Sequence, residues 1–289
     1  MRFRNYIKRI LTYVLNGQPQ QVVYPQICLL KFSKLLEGRT AIVTGGTSGI
    51  GYAIATAFLN AGATVIITGR NQGRITTSVE KLKAETSCDR VYGKVLNNTE
   101  VSTFDEILND ILSHEETSKI DILVNNAGVN FKGMPNATEE EYDKVMDTNL
   151  KGVFFLSQLF GKYLVKKGIR GNILNIASSS SLRPADSAYT LSKWGIRALT
   201  LGLAKSLAKN GITVNGIAPG PTATPMMIKD KNQNMALDRL PLGRYIMPEE
   251  IANMAVILVS NMGRSIMGDI IYMTGGAGLL TFDDVAYSF

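Results

Sequence analysis

The sequence predicts an α/β fold, a doubly wound parallel sheet of the Rossmann-like kind in a single domain with an N-terminal helical extension. Three observations carry that expectation. Short β-branched runs, such as residues 40–44 and 64–68, alternate with helical stretches. A glycine-rich turn joins the first such run to the first helix. No Pro/Gly/Ser-rich linker interrupts the alternation between Arg39 and Met273. Strand, helix, strand units of this length impose right-handed crossovers, so the strands lie parallel with helices on both faces.

The extension comes first. Residues 1–15 place Phe3, Tyr6, Ile7, Ile10, Leu11 and Val14 at helical spacing, with Arg2, Arg4, Lys8 and Arg9 between them. Such a basic amphipathic helix either lies on an anionic membrane surface or buries its apolar stripe against the body of the protein or a second subunit. Its charges interrupt it too often for a membrane span or a secretory signal. Residues 16–20 read as a turn and 21–32 as an extended segment. This gives an extension over 1–36 and one domain over 37–289.

Within that domain residues 40–44 are a buried strand, 52–61 a small-residue helix, 64–68 a second strand and 74–85 a second helix. A third strand spans 90–95, a helix 101–113 and a fourth strand 120–124. A long helix runs over 139–166, a fifth strand over 171–176 and another long helix over 187–209. Strands at 212–217 and 270–273 flank a helix at 249–259. The Met-, Lys- and Asn-rich stretch 226–242 reads as a mobile lid over a substrate, and residues 279–289 as a short aromatic tail.

Composition excludes several classes. A chain that is 45% hydrophobic and 19% charged is of the soluble globular type. Cys28 and Cys88 offer neither a disulfide framework nor metal-ligand spacing, which points to a reducing, cytoplasmic setting and to no metal. The one histidine, His114, sits among polar residues like a solvated helix end. The net charge of +7 is concentrated in the extension: residues 1–38 carry +5 and the other 251 only +2. The domain therefore lacks the basic stripe that nucleic acid demands.

Two constellations carry chemistry. Tyr189 and Lys193 stand four apart at the opening of a helix and so share one face. A neighbouring ammonium favours the phenolate and would lower the tyrosine pKa toward use as a general acid or base. The turn 44–51, Thr-Gly-Gly-Thr-Ser-Gly-Ile-Gly, spaces its glycines as Gly-x-x-x-Gly-x-Gly and opens onto a helix. Free amides and the positive dipole end there suit a pyrophosphate.

Taken together, these motifs resemble the short-chain dehydrogenase/reductase family over about residues 37–278. The ordered matches are the glycine turn, Asn125-Asn-Ala-Gly128, Asn149, the serines after the fifth strand, Tyr189 with Lys193, and Pro219-Gly220. The resemblance implies a homo-oligomer, dimer or tetramer, that transfers hydride between a nicotinamide and a small carbonyl or alcohol substrate. It implies catalytic roles for Asn149, Ser178, Tyr189 and Lys193. Tyr189 is the general acid or base, Lys193 also holds the nicotinamide ribose, and Asn149 anchors a relay water. The serine aligned on the strand end is Ser178, eleven residues before Tyr189 where many relatives have thirteen; Ser179 and Ser180 stay open as alternatives. Cofactor contacts are implied for Gly45, Thr47, Ser48, Gly49, Ile50, Gly51, Asn126, Ala127, Gly128, Pro219, Gly220, Thr222 and Thr224. After the second strand Gly69 stands where an acidic residue would grip a ribose 2′-hydroxyl, and Arg70 follows. A guanidinium suits a 2′-phosphate, so NADP(H) is expected over NAD(H). Lys94 stands where relatives usually place an Asp beside the adenine, and residues 266–268 and 274–276 also depart from the usual pattern. The competing expectations are a dinucleotide-binding regulator without turnover and lyase or epimerase chemistry on a nucleotide-linked sugar.

Overall fold

The structure, a computed structural model, describes residues 34–225 and 234–280. The expected helix over 1–15, the extended segment 21–32, residues 226–233 of the expected lid and residues 281–289 of the tail lie outside the described residues. Leu36, which the sequence places at the end of the extension, is buried in the core, and its amide donates to the Ala61 carbonyl at 2.8 Å. The domain's packing thus begins inside the last residues assigned to the extension.

Strands and helices alternate as expected. In order they are β1 (Thr40–Val43), α1 (Gly49–Asn60), β2 (Thr64–Gly69), α2 (Gln72–Thr86) and β3 (Val91–Val95). A 3-10 turn at Val101–Thr103 leads into α3 (Phe104–Ser113), then β4 (Ile122–Asn125). The long helix of the sequence reading is three pieces in continuous helical conformation: α4 (Glu139–Met146), a π turn at Asp147–Lys151, and α5 (Gly152–Lys167). There follow β5 (Asn172–Ile176), a 3-10 turn at Ser179–Leu182, α6 (Ala188–Leu207), β6 (Thr213–Pro219), α7 (Pro248–Val259) and β7 (Ile270–Met273).

The seven strands form one parallel sheet in the order β3-β2-β1-β4-β5-β6-β7. Strand alternation divides the core in two. Ala41, Val43, Val65, Ile67, Ile122 and Val124 pack against Ile54 and Phe58 of α1, Leu82 of α2 and Ile251 and Val256 of α7. On the other face Ile42, Ile66, Leu123, Ile173 and Val214 pack against Phe104 of α3, Phe160 and Leu164 of α5 and Ala204 of α6. Each fully buried Val, Leu, Ile or Phe among these contributes about 1.5–3 kcal/mol. Register keeps the second set in line, since Ile42 is paired with both Ile66 and Leu123, and Leu123 with Ile173.

The amino ends of the central strands are tied by one polar cluster. Arg39 pairs with Asp121 and donates to Asn172 Oδ1 at 2.6 Å and the Val259 carbonyl at 3.3 Å. Asp121 accepts the Thr40 amide at 3.0 Å, and Asn172 donates to Thr213 Oγ1 at 2.5 Å. β1, β4, β5, β6 and the end of α7 are thereby joined at one edge. Order reverses between β1 and β4, so the crevice of the doubly wound sheet opens at the opposite, carboxyl edge.

Candidate active site

At that carboxyl edge the turn after β1 enters α1. Gly45 (φ 64°) and Gly49 (φ 56°) adopt left-handed backbone that favours glycine. A Cβ on Gly45 would lie 2.9 Å from Ala127 Cα, and one on Gly51 would lie 2.4 Å from Asn126 Nδ2. The glycines thus let the turn close onto the loop after β4. Ser48, the residue before α1, makes no side-chain cap, and no acidic residue occupies the first turn. By contrast α2, α4 and α6 are capped by Asn71, Thr138 and Ser187. Among the described residues, nothing caps the first amides of α1, which suits them to an anion.

Thr44, which opens the glycine motif but was given no role of its own in the sequence, holds the two loops together. Its hydroxyl donates to the Val124 carbonyl at 3.2 Å and accepts the Asn126 and Ala127 amides at 2.9 and 3.1 Å. Asn126 is turned the same way, its amide donating to the Thr44 and Gly45 carbonyls. Asn126 thus shapes the turn with its side chain. On the far side Gly220 backs onto Thr274, where a Cβ would lie 2.6 Å from the carbonyl oxygen. The Thr222 hydroxyl is spent on the Gly220 carbonyl at 2.9 Å. Thr224 reaches across to Gly49, its Cγ2 3.3 Å from where a Cβ would be. Thr47, Ser48, Ile50, Gly128 and Pro219 all line this same strand edge.

Arg70 follows the last residue of β2 and is exposed. It makes no ion pair among the described residues, and a Cβ on the preceding Gly69 would meet the Thr47 side chain at 3.2 Å. The main chain just before Arg70 thus lies beside the glycine turn. Lys94, by contrast, is paired with Asp110 of α3, whose carboxyl it holds below its ordinary range.

Tyr189 and Lys193 lie in the first two turns of α6. Lys193 is buried; its ammonium sits 5.5 Å from the Tyr189 ring centroid and donates to the Ile176 carbonyl at 2.8 Å. Burial pulls the Lys193 pKa from 10.5 down to about 8. The sequence reading had the ammonium lowering the tyrosine pKa; instead burial dominates and raises it, opposed by a hydrogen bond with Ser178. The ammonium faces the ring and spends a proton on Ile176, so its field acts weakly at the hydroxyl. Of the serines, Ser178 is thus the one next to the phenol. Its Oγ also accepts the Ser180 amide at 3.1 Å, while the Ser181 hydroxyl donates to the Ser178 carbonyl.

Asn149 sits in the π turn, a feature that often marks functional helices. Its Oδ1 accepts the Val129 amide at 2.8 Å, and its Nδ2 donates to the Val129 carbonyl at 2.9 Å and to Ser192 Oγ at 3.3 Å. Ser192, missed in the sequence although it falls between Tyr189 and Lys193, donates in turn to the Tyr189 carbonyl at 2.7 Å. Both Nδ2 hydrogens of Asn149 are thereby spent on protein, while its Oδ1 accepts one bond and keeps a second lone pair.

The geometry can be set beside known proteins. A family model described as enoyl-(acyl carrier protein) reductase matches residues 45–278. The chain is 36% identical to a 3-oxoacyl-[acyl-carrier-protein] reductase of Thermotoga maritima over 83% of this chain and 98% of that protein. Among solved structures it is similar to a protein of Agrobacterium tumefaciens, provisionally named a 2-deoxy-D-gluconate 3-dehydrogenase and bearing NADP. Identity is 35% over 85% of this chain and 98% of that one, with a TM-score of 0.73. A variant actinorhodin polyketide ketoreductase with NADPH is 28% identical over 86% and 99% of the two chains, with a TM-score of 0.77.

Proposed function

Since the chain belongs to the short-chain dehydrogenase/reductase family, a family of hydride-transferring oxidoreductases, we propose an NADP(H)-preferring enzyme that interconverts a carbonyl and a secondary alcohol with Tyr189 as general acid/base. The observation that supports this reading is that Tyr189, Ser178 and Lys193 meet at the carboxyl end of β5, on the same sheet edge as the uncapped glycine turn after β1.

When bound, the dinucleotide supplies or accepts the hydride. This chain's residues fit it: the first amides of α1 suit its pyrophosphate, Thr224 and Gly49 bound the groove, and Arg70, exposed and without an ion-pair partner among the described residues, offers a guanidinium to a 2′-phosphate. NADP and NADPH in the two structural relatives support the same preference.

In the reducing direction Ser178 donates a hydrogen bond to the substrate oxygen as negative charge grows there. Tyr189 then gives its proton to that oxygen. Its raised pKa keeps the phenol protonated until the acceptor is basic enough to take the proton. Lys193, buried and titrating near 8, can restore that proton at neutral pH. Asn149 holds Val129 against the helix and, through Ser192, steadies the backbone of Tyr189.

The test is Tyr189→Phe. Carbonyl-dependent NADPH oxidation, screened over acyl, sugar and steroid ketones, should fall by a factor of roughly 10²–10⁴, with NADPH affinity unchanged. Turnover close to that of the unaltered protein would overturn the assignment.

A further inference from the structure

Ser178 leaves the sheet at the end of β5, and Tyr189 and Lys193 arrive on α6. The chain between them is a 3-10 turn and five residues without regular structure. Within the serine turn the hydrogen bonds are short-range: the Ser181 amide to the Ser178 carbonyl at 3.0 Å, the Ser180 amide to Ser178 Oγ at 3.1 Å, and the Arg183 amide to the Ser180 carbonyl at 3.2 Å. The main chain on either side is tied elsewhere, the Ala177 amide to the Ile217 carbonyl and the Asp186 carbonyl to the Met134 amide, both at 2.8 Å. None of these bonds joins the turn to α6.

The helix does so from its own side chains. Tyr189, Lys193 and Arg197 recur every four residues and form one stripe. Both cations of the stripe reach back to carbonyls that flank Ser178. Lys193 Nζ donates to Ile176, two residues before it, at 2.8 Å, and Arg197 Nη1 donates to Ser181, three residues after it, at 3.3 Å. Trp194 supplies a third grip, its Nε1–H donating to the Arg183 carbonyl at 2.8 Å. The Arg197 guanidinium lies 5.3 Å from the centroid of the Trp194 ring, so the two side chains brace each other.

Resting on the function proposed above, the geometry points to Trp194 and Arg197 as positioning residues that clamp the serine turn onto α6 and hold the Ser178 hydroxyl at the reacting oxygen. Neither touches substrate or cofactor in this role. They act through Ser178, and their worth in catalysis is the precision they give its hydrogen bond, since a displacement of about 1 Å in a reacting group can cost 10²-fold in rate.

Trp194→Phe tests this while keeping the ring on which Arg197 rests. In steady-state reduction of whichever ketone the full-length enzyme turns over, kcat should fall about tenfold. KM and NADPH affinity should stay within about twofold, because removal of a whole oxyanion donor costs about 10²–10³ and a loosened one correspondingly less. Made in a Ser178→Ala background, the same change should have almost no further effect. A full tenfold loss in that background would overturn the proposal, as would a defect confined to KM. A second measurement does not depend on turnover. Amide hydrogen exchange at Ser180, Ser181 and Arg183 should quicken at least tenfold in Trp194→Phe and in Arg197→Met, with exchange in β5 unchanged. Unaltered exchange at those amides refutes the clamp. Fast exchange in a protein inactive toward every ketone refutes the reductase reading and leaves the clamp standing.

Discussion

Replacing Lys193 by Met should abolish turnover and yet stabilise the cofactor-free protein at neutral pH. The ammonium is buried with one carbonyl partner, and burial lowers its pKa from 10.5 to about 8. Between those values the unfolded chain holds the proton more tightly than the folded one, so stability rises with pH across that interval. Below about 8 both states are protonated and the whole difference counts against folding, about 3 kcal/mol. Methionine removes that charge but leaves the Ile176 carbonyl without its donor, which costs back about 1 kcal/mol. A net gain of about 2 kcal/mol should raise the melting temperature by roughly 4–8 °C in a domain of this size. The assay is thermal unfolding of both proteins from pH 7 to pH 9.5, below the range in which Tyr189 ionises. The gain should be full at pH 7 and should shrink steadily as the pH climbs. A variant melting lower by the same amount at every pH would show that the buried ammonium carries no desolvation cost, and the reasoning would fail.

Two further outcomes follow from the same coordinates. Arg70→Ala should cut the ratio of NADPH to NADH affinity by about tenfold, the weight of one charge-assisted contact to phosphate at about 1.4 kcal/mol; an unchanged ratio by titration would remove Arg70 from cofactor choice. Phe154, Phe155, Val165 and Leu201 leave an exposed apolar face on α5 and α6, which we propose a second copy of the chain covers. Phe154→Lys, added among Lys151, Lys162 and Lys166, should then shift the mass in sedimentation equilibrium toward the single chain, and an unmodified protein already of single-chain mass would end that proposal.

The sheet was legible because its strands are written in apolar residues whose alternation matches one face or the other. β7 falls on the residues expected, and the other strands within about two. The glycine turn, the Asn126 loop and the serine run stood out in the sequence for a related reason, each lying just past a strand, whereas Asn149, Tyr189 and Lys193 lie on helices. The π turn around Asn149 was not, since a one-residue change in hydrogen-bond register leaves periodicity almost intact. Lys94 looked like a gap in adenine recognition, but its partner Asp110 is sixteen residues on and becomes a neighbour only when α3 packs against the sheet. Thr44 and Ser192 carried a usable signal, being hydroxyls set inside motifs already singled out. The sign of the Tyr189 shift was misread because sequence shows which charge is near a phenol and not which way it faces. Ser178 was chosen over Ser179 and Ser180 by aligning on the strand end, and its side chain is the one that hydrogen-bonds the Tyr189 phenol.

The cluster of Arg39, Asp121, Asn172 and Thr213 makes the sheet behave like a bound book, sewn along one edge and free along the other. Slippage of one strand against the next is stopped where the stitching lies, so insertions or replacements in the loops of the open edge leave the register intact. Such an architecture can change what it holds between its pages without loosening its spine.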